Sequence, residues 1–188
     1  KFNLENIPKI CSGYTQNCSR ITKILYSKIV KRVIGVSNLE TAEFVKLYEN
    51  IYRSVNIGLV NELKMVSNKL NLNIYEIIEA AKTKPFGFQA FYPGPGYGGH
   101  CIPIDPFLLS WKAEQYNFNT KFIKLSGKIN ENMPKIILKK ICSLIKKNEK
   151  ILILGVAYKK NVDDIRESPA LKIMQLLDKK KIKFDFYD

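Results

Sequence analysis

Residues 37–70, "SNLETAEFVKLYENIYRSVNIGLVNELKMVSNKL", form the longest periodic segment of the chain. Apolar side chains recur there at intervals of three and four residues, which is typical of a helix, and Gly58 is the only internal break. "SNLE" matches a capping box, with Ser37 as the N-cap and Glu40 three residues later. We therefore predict one long helix that ends near Leu70. The periodic positions are Ala42, Val45, Tyr48, Ile51, Tyr52, Val55, Leu59, Leu63, Val66 and Leu70.

Further helices follow along the chain. "NIYEIIEAAKT" after Asn73 predicts a second helix, and residues 106–116 and 121–147 predict two more. In the last of these, isoleucines and leucines alternate with lysines, as in an amphipathic helix with one solvated face. The middle of the chain is therefore predicted to be mainly helical.

Both ends of the chain have a different character. "KILILGVAY", "SPALKIMQLLDKKK" and "KFDFYD" predict a strand, a helix capped by Ser168 with Pro169 at its first position, and a second strand. "IPKICSG", "NCSRITKILYSKIVK" and "RVIGV" predict short α/β pieces in residues 1–37. Such small units cannot bury their own faces. We expect an α/β protein that begins and stops inside larger domains, with boundaries near residues 37 and 148.

Composition argues against a membrane-spanning protein, a metal-stabilised fold and a nucleic-acid-binding protein. The 188 residues are 46% hydrophobic, and no apolar run approaches the ~20 residues of a membrane-spanning helix. Four cysteines without a CxxC pair and a single histidine argue against a structural metal site and fit free thiols in a reducing compartment. The net charge of +14 is spread over lysines, so we interpret it as solvated surface rather than a nucleic-acid site. We expect a cytoplasmic protein without membrane association.

The segment around Cys101, "FYPGPGYGGHCIPIDPF", is rich in proline and glycine. Residues 85–106 hold five of the eight prolines and five of the ten glycines, so the backbone there is bent. "GPGYGG" satisfies the GxGxxG pattern, but a dinucleotide-binding loop must follow a strand and open a helix. We interpret it instead as a glycine loop that approaches a ligand or another segment closely, with a plain surface loop as the alternative.

Cys101 is the candidate nucleophile, because it lies in this bent loop and not on an apolar helix face. A thiol attacks as the thiolate, which a nearby cation favours. Asp105 follows four residues later and is a candidate base, or alternatively a helix cap before Pro106. We interpret Cys11, Cys18 and Cys142 as buried packing residues.

Two further groups of polar residues accompany the loop. Glu43, Lys46, Asn50 and Arg53 share one helical face, which by spacing alone is an ordinary solvated stripe. Lys159, Lys160 and Arg166 lie between a strand and a helix N-terminus, where phosphates bind, although a basic surface loop has the same composition.

Three segments together resemble the UDP-glucose/GDP-mannose dehydrogenase family. They are "AEFVKLYENIYRSVNIGLVNEL", "PGPGYGGHCIPIDPFLL" and "GVAYKKNVDDIRESPAL". "GGHCIP" and "TKPFGF" are similar to the branch that acts on UDP-N-acetylhexosamines. The UDP-glucose branch usually has another residue at His100 and carries an arginine in the region of residues 83–88.

The resemblance implies a function and a role for each residue. The chemistry is NAD-dependent oxidation of a sugar C6 alcohol to a carboxylate through a thiohemiacetal and a thioester on Cys101. Lys46 stabilises the oxyanion, Asn50 hydrogen-bonds nearby, and Asp105 positions water. The implied UDP-sugar contacts are Tyr92, Gly94, Gly96, Tyr97, Gly98, Tyr158 and Lys159, and Arg166 is the implied NAD contact.

The resemblance also implies a domain organisation. Residues 1–37 resemble the end of an NAD-binding domain, residues 38–148 a helical dimerisation domain, and residues 149–188 the start of a nucleotide-sugar domain. We expect a homo-oligomer formed through the central helix, and no dehydrogenase activity from the 188 residues alone. Alternatives are a UDP-glucose 6-dehydrogenase, a non-catalytic helical dimerisation fragment and, less favoured, a nucleic-acid binder.

Overall fold

The structure, a computed structural model, describes residues 3–146 and 149–188 and has the predicted α/β architecture. The chain divides into two compact units, Lys1–Glu49 and Asn50–Asp188.

The first unit contains a small parallel β-α-β arrangement. Strand β1 (Lys9–Cys11) pairs in parallel with β2 (Val33–Gly35), and helix α1 (Gln16–Ser27) connects them. Thr15 caps α1, because its hydroxyl accepts a hydrogen bond from the backbone N–H of Cys18 at 3.1 Å. The predicted order of strand, helix and strand is confirmed, with strands shorter than the sequence indicated.

Helix α2 (Leu39–Lys69) is the predicted long helix, and its first eleven residues belong to the first unit. Ser37 is not its cap, so that prediction is wrong. The Asn38 side-chain oxygen accepts from the backbone N–H of Thr41 at 2.8 Å, whereas the Ser37 hydroxyl lies 3.5 Å from the Thr41 hydroxyl. Because α2 begins at Leu39, only the side chain at position 38 has the geometry of an N-cap.

The second unit begins with three helices that pack on the remainder of α2. They are α3 (Ile74–Lys82), which is capped by Asn73, α4 (Asp105–Glu114) and α5 (Lys121–Leu144). Val60 of α2 packs with Ile74 and Ile78 of α3 in a buried cluster. The predicted end of the last helix, Lys147, lies outside the described residues.

A second parallel β-α-β arrangement follows, as the sequence predicted. Strand β3 (Ile151–Leu154) pairs in parallel with β4 (Phe184–Tyr187), and α6 (Pro169–Lys179) connects them. Leu138 of α5 packs with Ile173 and Leu177 of α6 in a buried cluster. The apolar face of α5 therefore holds the C-terminal β-α-β arrangement against the helices.

The cysteines are all free thiols, but their burial differs from the prediction. Cys11 is buried, as expected for packing, whereas Cys18 and Cys142 are exposed. Cys18 lies in the first turn of α1, a helix without buried residues, and Cys142 lies in the last turn of α5. Within residues 3–146 and 149–188, no helix is long and apolar enough to cross a membrane, and no cluster of potential metal ligands is found.

Candidate active site

A bent loop of residues 91–104, the cysteine loop, connects the region after α3 to α4. No helix follows the GxGxxG match directly, because α4 begins only at Asp105. The carbonyl of Cys101 accepts hydrogen bonds from the backbone N–H groups of Ile104 at 3.1 Å and Asp105 at 2.9 Å. This turn leaves the Cys101 side chain exposed and brings the backbone of Asp105 against the Cys101 carbonyl.

Asn50 of α2 reaches this turn from the neighbouring helix. Its side chain is 1% exposed, and its Nδ2 donates to the Oδ2 of Asp105. Nη2 of Arg53 donates to the Oδ1 of Asn50. Because the arginine occupies the amide oxygen, the amide nitrogen of Asn50 must face the carboxylate. The fold therefore brings Asn50 into contact with Asp105, whose backbone N–H bonds to the Cys101 carbonyl.

Asp105 is not a helix cap. It is the first residue of α4, and Ile104 in the cap position makes no side-chain capping bond. The alternative interpretation of Asp105 as a cap is therefore wrong. Asp105 is half-buried, and its carboxylate accepts from Asn50, so the orientation of the carboxylate is fixed.

The glycines after Tyr97 lie against the C-terminal β-α-β arrangement. A Cβ on Gly98 would lie 2.6 Å from the Cβ of Tyr158, and one on Gly99 would lie 2.9 Å from the Tyr158 ring. Gly99 has a φ of +87° and donates its N–H to the Arg166 carbonyl at 3.2 Å. Only residues without a side chain allow this approach. The cysteine loop and the loop after β3 are therefore in direct contact.

Arg166 and Asp164 form an ion pair in the loop after β3. Nε of Arg166 lies 3.0 Å from both carboxylate oxygens, and Nη2 lies 2.6 Å from Oδ2. Hydrogen bonds from the Arg166 side chain and backbone lower the pKa of Asp164 to about 2. Asp164 in turn raises the pKa of Arg166, with smaller contributions from Tyr158 and Cys101. The bonds to Asp164 therefore hold the guanidinium in one orientation.

A cleft of about 810 Å³ opens at the carboxyl end of β3. Lys159, Lys160, Gly155 and Asp188 contribute to its lining. In parallel α/β arrangements ligands bind at this end of the strands. The predicted residue Lys159 is exposed there.

The tyrosines of the cysteine loop have different environments. Tyr97 is buried, its hydroxyl donates to the Gly127 carbonyl at 3.4 Å, and burial raises its pKa well above the usual range. Its side chain is part of the core, so the prediction of substrate binding stays open only for its backbone. Tyr92 is exposed, and its hydroxyl donates to the Glu79 carboxylate.

Comparison with known proteins gives two matches along the chain. Residues 40–132 match the UDP-glucose/GDP-mannose dehydrogenase family, central domain. Residues 152–188 match the UDP binding domain of the same family. The chain belongs to the UDP-glucose/GDP-mannose dehydrogenase family.

Individual family members are similar over almost the whole chain. A UDP-N-acetyl-D-mannosamine dehydrogenase of Methanocaldococcus jannaschii is 39% identical, over 96% of this chain and 41% of the relative. The structure of a UDP-D-ManNAc dehydrogenase from Pyrococcus horikoshii has a TM-score of 0.87 at 35% identity, over 98% of this chain and 45% of that one. The Staphylococcus aureus UDP-N-acetyl-mannosamine dehydrogenase has a TM-score of 0.81 at 38% identity, over 98% and 43%. The chain thus spans about two fifths of the length of the curated relatives it matches.

Lys46, the predicted oxyanion-stabilising residue of this family member, belongs to the first unit. Its ammonium lies 3.8 Å from a carboxylate oxygen of Glu49, and both side chains are exposed. Its proposed role near Cys101 stays a prediction.

Sequence reasoning missed two residues of the site and placed a third without a role. Asp164 fixes Arg166, and Asn61 contacts the cysteine loop at Gly94, but neither was singled out. Arg53 was placed on the correct helical face without a function. The buried face of α2 also carries Asn50, Ser54 and Ser67, so the polar side chain of Asn61 was not a distinguishing signal.

Proposed function

We propose that this chain forms part of an NAD-dependent dehydrogenase that oxidises the C6 alcohol of a UDP-N-acetylhexosamine to the uronate. The observation that carries the proposal is the contact between Asn50 and Asp105 in the turn that begins at the exposed residue Cys101. Family membership and the similarity to UDP-N-acetyl-D-mannosamine dehydrogenases support it.

Cys101 supplies the nucleophile in this proposal. Its thiolate adds to the C6 aldehyde carbon, and the carbonyl π electrons move to oxygen to give a thiohemiacetal. Oxidation of that adduct gives a thioester, and attack by water breaks the C–S bond, releasing the carboxylate and the thiol. The exposed position of Cys101 at the end of a bent loop suits attack on a small bound sugar.

Three side chains assist these steps. Asp105 accepts a proton from the attacking water, and the amide of Asn50 holds that carboxylate in position. Lys46 stabilises the oxyanion that forms when the thiolate adds.

The nucleotide-sugar is proposed to lie along the cysteine loop and the cleft after β3. Tyr92, the backbone of residues 94–98, Tyr158 and Lys159 are the proposed contacts. Gly98 and Gly99 lie against Tyr158, so one ligand can touch both segments. The match of residues 152–188 to a UDP binding domain supports this placement.

The described residues fit a dinucleotide at Arg166. Its guanidinium is exposed, and the bonds to Asp164 leave Nη1 free to donate to a pyrophosphate. NAD+, when bound, supplies the two-electron acceptor for each of the two oxidations. Asp164 holds the arginine in one orientation for that contact.

The activity is tested by NADH formation in the complete protein that carries this chain. We expect two NADH per uronate with UDP-N-acetylmannosamine or UDP-N-acetylglucosamine, and little turnover with UDP-glucose. Cys101→Ala should abolish turnover, and Cys142→Ala, which removes another exposed thiol, should retain it. A C101A variant that oxidises the sugar fully to the uronate would refute the proposal, and UDP-glucose as the best substrate would move the protein to the other branch.

A second copy of the protein is the proposed partner, bound through α2. Leu59, Leu63, Val66 and Leu70 are 53%, 46%, 48% and 62% exposed, and their spacing of four, three and four residues is that of a helix-pairing seam. Light scattering should show an oligomer that Leu63→Glu disrupts and Glu62→Lys does not. A monomeric wild type would contradict the proposed pairing.

The proposed compartment is the cytoplasm, and the four free cysteines are consistent with it.

A further inference from the structure

Two buried asparagines connect the start of the cysteine loop to α2 and α5. The N–H of Gly94 donates to Oδ1 of Asn61 at 2.9 Å, and Nδ2 of Asn61 donates to Oδ1 of Asn130 at 3.0 Å. Nδ2 of Asn130 then donates to the Ser54 carbonyl at 2.9 Å. Asn61 is 0% and Asn130 1% exposed.

The direction of these bonds is fixed. Each amide accepts through its oxygen from one neighbour and donates through its nitrogen to the next, so turning either amide over would place like groups together. Buried amides without partners are costly, so the arrangement specifies one position for the loop. Gly58 makes room for it, because a Cβ there would lie 3.3 Å from Nδ2 of Asn130.

Helix α2 holds the cysteine loop at both of its ends. Asn50 bonds to Asp105, just after the loop, and Asn61 bonds to Gly94, near its beginning. The two asparagines are eleven positions apart, which is about three helical turns, so both lie on one face, about 16 Å apart. Between these points, a Cβ on Gly96 would lie 3.0 Å from the Asn130 carbonyl oxygen, so α5 supports the middle of the loop.

We propose that Asn61 and Asn130 are positioning residues for Cys101. They fix the start of the cysteine loop against α2, and the bond from Asn50 to Asp105 fixes its end, so the thiol keeps one position relative to the carboxylate. The inference rests on the proposed function, because the position of the thiol matters only where Cys101 reacts.

Asn61→Asp is the sharpest test, because it keeps the shape of the side chain. An ionised carboxylate still accepts from Gly94 but cannot donate to Asn130, whereas the protonated acid can donate. We expect kcat of the complete protein to fall about a hundredfold at a pH where the new carboxyl is ionised. The loss should lessen as the pH is lowered, which gives the variant a pH profile that the wild type lacks. Asn56→Asp makes the same change on α2 at an amide that donates to the Tyr52 carbonyl, and should keep the wild-type profile.

A merely structural role would lower the melting temperature of Asn61→Asp and leave kcat and its pH dependence unchanged, which would overturn the proposal. If the variant does not fold, hydrogen exchange in the wild type tests the bond from Gly94 to Asn61. We expect the Gly94 amide to be protected from exchange, and rapid exchange would refute the bond.

If the wild type does not oxidise the tested sugars, the proposed function is wrong, but the positioning role of Asn61 and Asn130 can still be tested. The measurement is then the rate of Cys101 alkylation by iodoacetamide. A severalfold difference in this rate between Asn61→Asp and the wild type supports the inference, and equal rates contradict it.

Discussion

Asn50 donates its side-chain amide to the carboxylate of Asp105, which lies 55 residues further along the chain. Asp105 is also bonded through its backbone to the carbonyl of Cys101. Two hydrogen bonds thereby connect a residue of α2 to Asp105 and Asp105 to the backbone of Cys101. Arg53 fixes the amide of Asn50 in the orientation that this contact requires.

Asp105→Asn should slow release of the acid more than formation of the covalent adduct. The new amide can still accept from Asn50, so the fold is kept, but it cannot accept a proton from water. We expect kcat to fall by about a hundredfold or more. A thioester should accumulate on Cys101, which intact-protein mass spectrometry after addition of NAD+ and UDP-sugar would detect.

Two controls belong to this experiment. Asp178→Asn removes an exposed carboxylate on α6 and should turn over like the wild type. Cys101→Ala combined with Asp105→Asn should show no adduct. An Asp105→Asn variant with wild-type kcat would remove Asp105 from the proposed mechanism.

Gly98→Ala should destabilise the contact between the cysteine loop and the loop after β3. The added methyl would lie 2.6 Å from the Tyr158 Cβ and 3.1 Å from Cδ of Pro169, so the two loops must separate. We expect a loss of about 1–3 kcal/mol in the free energy of unfolding and a higher KM for the UDP-sugar. Urea unfolding and initial rates would measure the two effects.

Gly94→Ala is the matched control in the same loop. Its Cβ would have no neighbour closer than 3.8 Å, and alanine keeps the N–H that donates to Asn61. Equal effects of the two alanines on stability would show that the contact with Tyr158 is unimportant.

The elements of this fold were predictable where local chemistry decides them. Asn73 before α3 and the pair Ser168 and Pro169 before α6 signal helix starts through bonds within a few residues. The prolines and glycines likewise predicted the bent backbone of the cysteine loop. At the start of α2, Ser37 and Asn38 are adjacent possible caps, and a shift of one residue in the helix decided between them.

The site was predictable only in part, because much of it depends on contacts between distant segments. Asn61 and Asn130 are 69 residues apart, and spacing along the chain carries no signal of their bond. The ion pair of Arg166 with Asp164 spans only two residues, but the next residue, Glu167, has a φ of +51°, a backbone conformation that its residue type does not predict. The exposure of Cys18 and Cys142 likewise follows from which helix faces are covered.

Tyr97→Phe should make the protein less sensitive to alkaline pH. Burial raises the pKa of Tyr97 in the fold above its ordinary value of 10.0, so the folded state keeps the proton longer than the unfolded state. Below pH 10 both states are protonated and stability is unaffected. As the pH rises above 10 the unfolded state loses the proton first, so the free energy of unfolding falls.

The phenylalanine variant lacks that proton. The difference in unfolding free energy between Tyr97→Phe and wild type should be constant from pH 7 to about 9.5 and then shift in favour of the variant. Urea titrations at each pH measure it, and Tyr116→Phe, which changes a well-exposed tyrosine, serves as the control. A difference that stays constant above pH 10 would mean that the Tyr97 phenol is not buried.

Ser168→Ala should release the start of α6 and, with it, the loop that carries Arg166. The Ser168 hydroxyl is 1% exposed, donates to the Val156 carbonyl at 2.6 Å and accepts from the N–H of Ala170 at 3.2 Å. Alanine leaves both backbone groups without this partner, which costs about 2 kcal/mol in the free energy of unfolding. Because Arg166 and Tyr158 are on the same loop, we also expect KM for the UDP-sugar to rise severalfold with a smaller change in kcat. Ser143→Ala, at an exposed hydroxyl that donates to the Lys140 carbonyl, should change neither quantity, and an equal effect of the two substitutions would disprove the role of this cap.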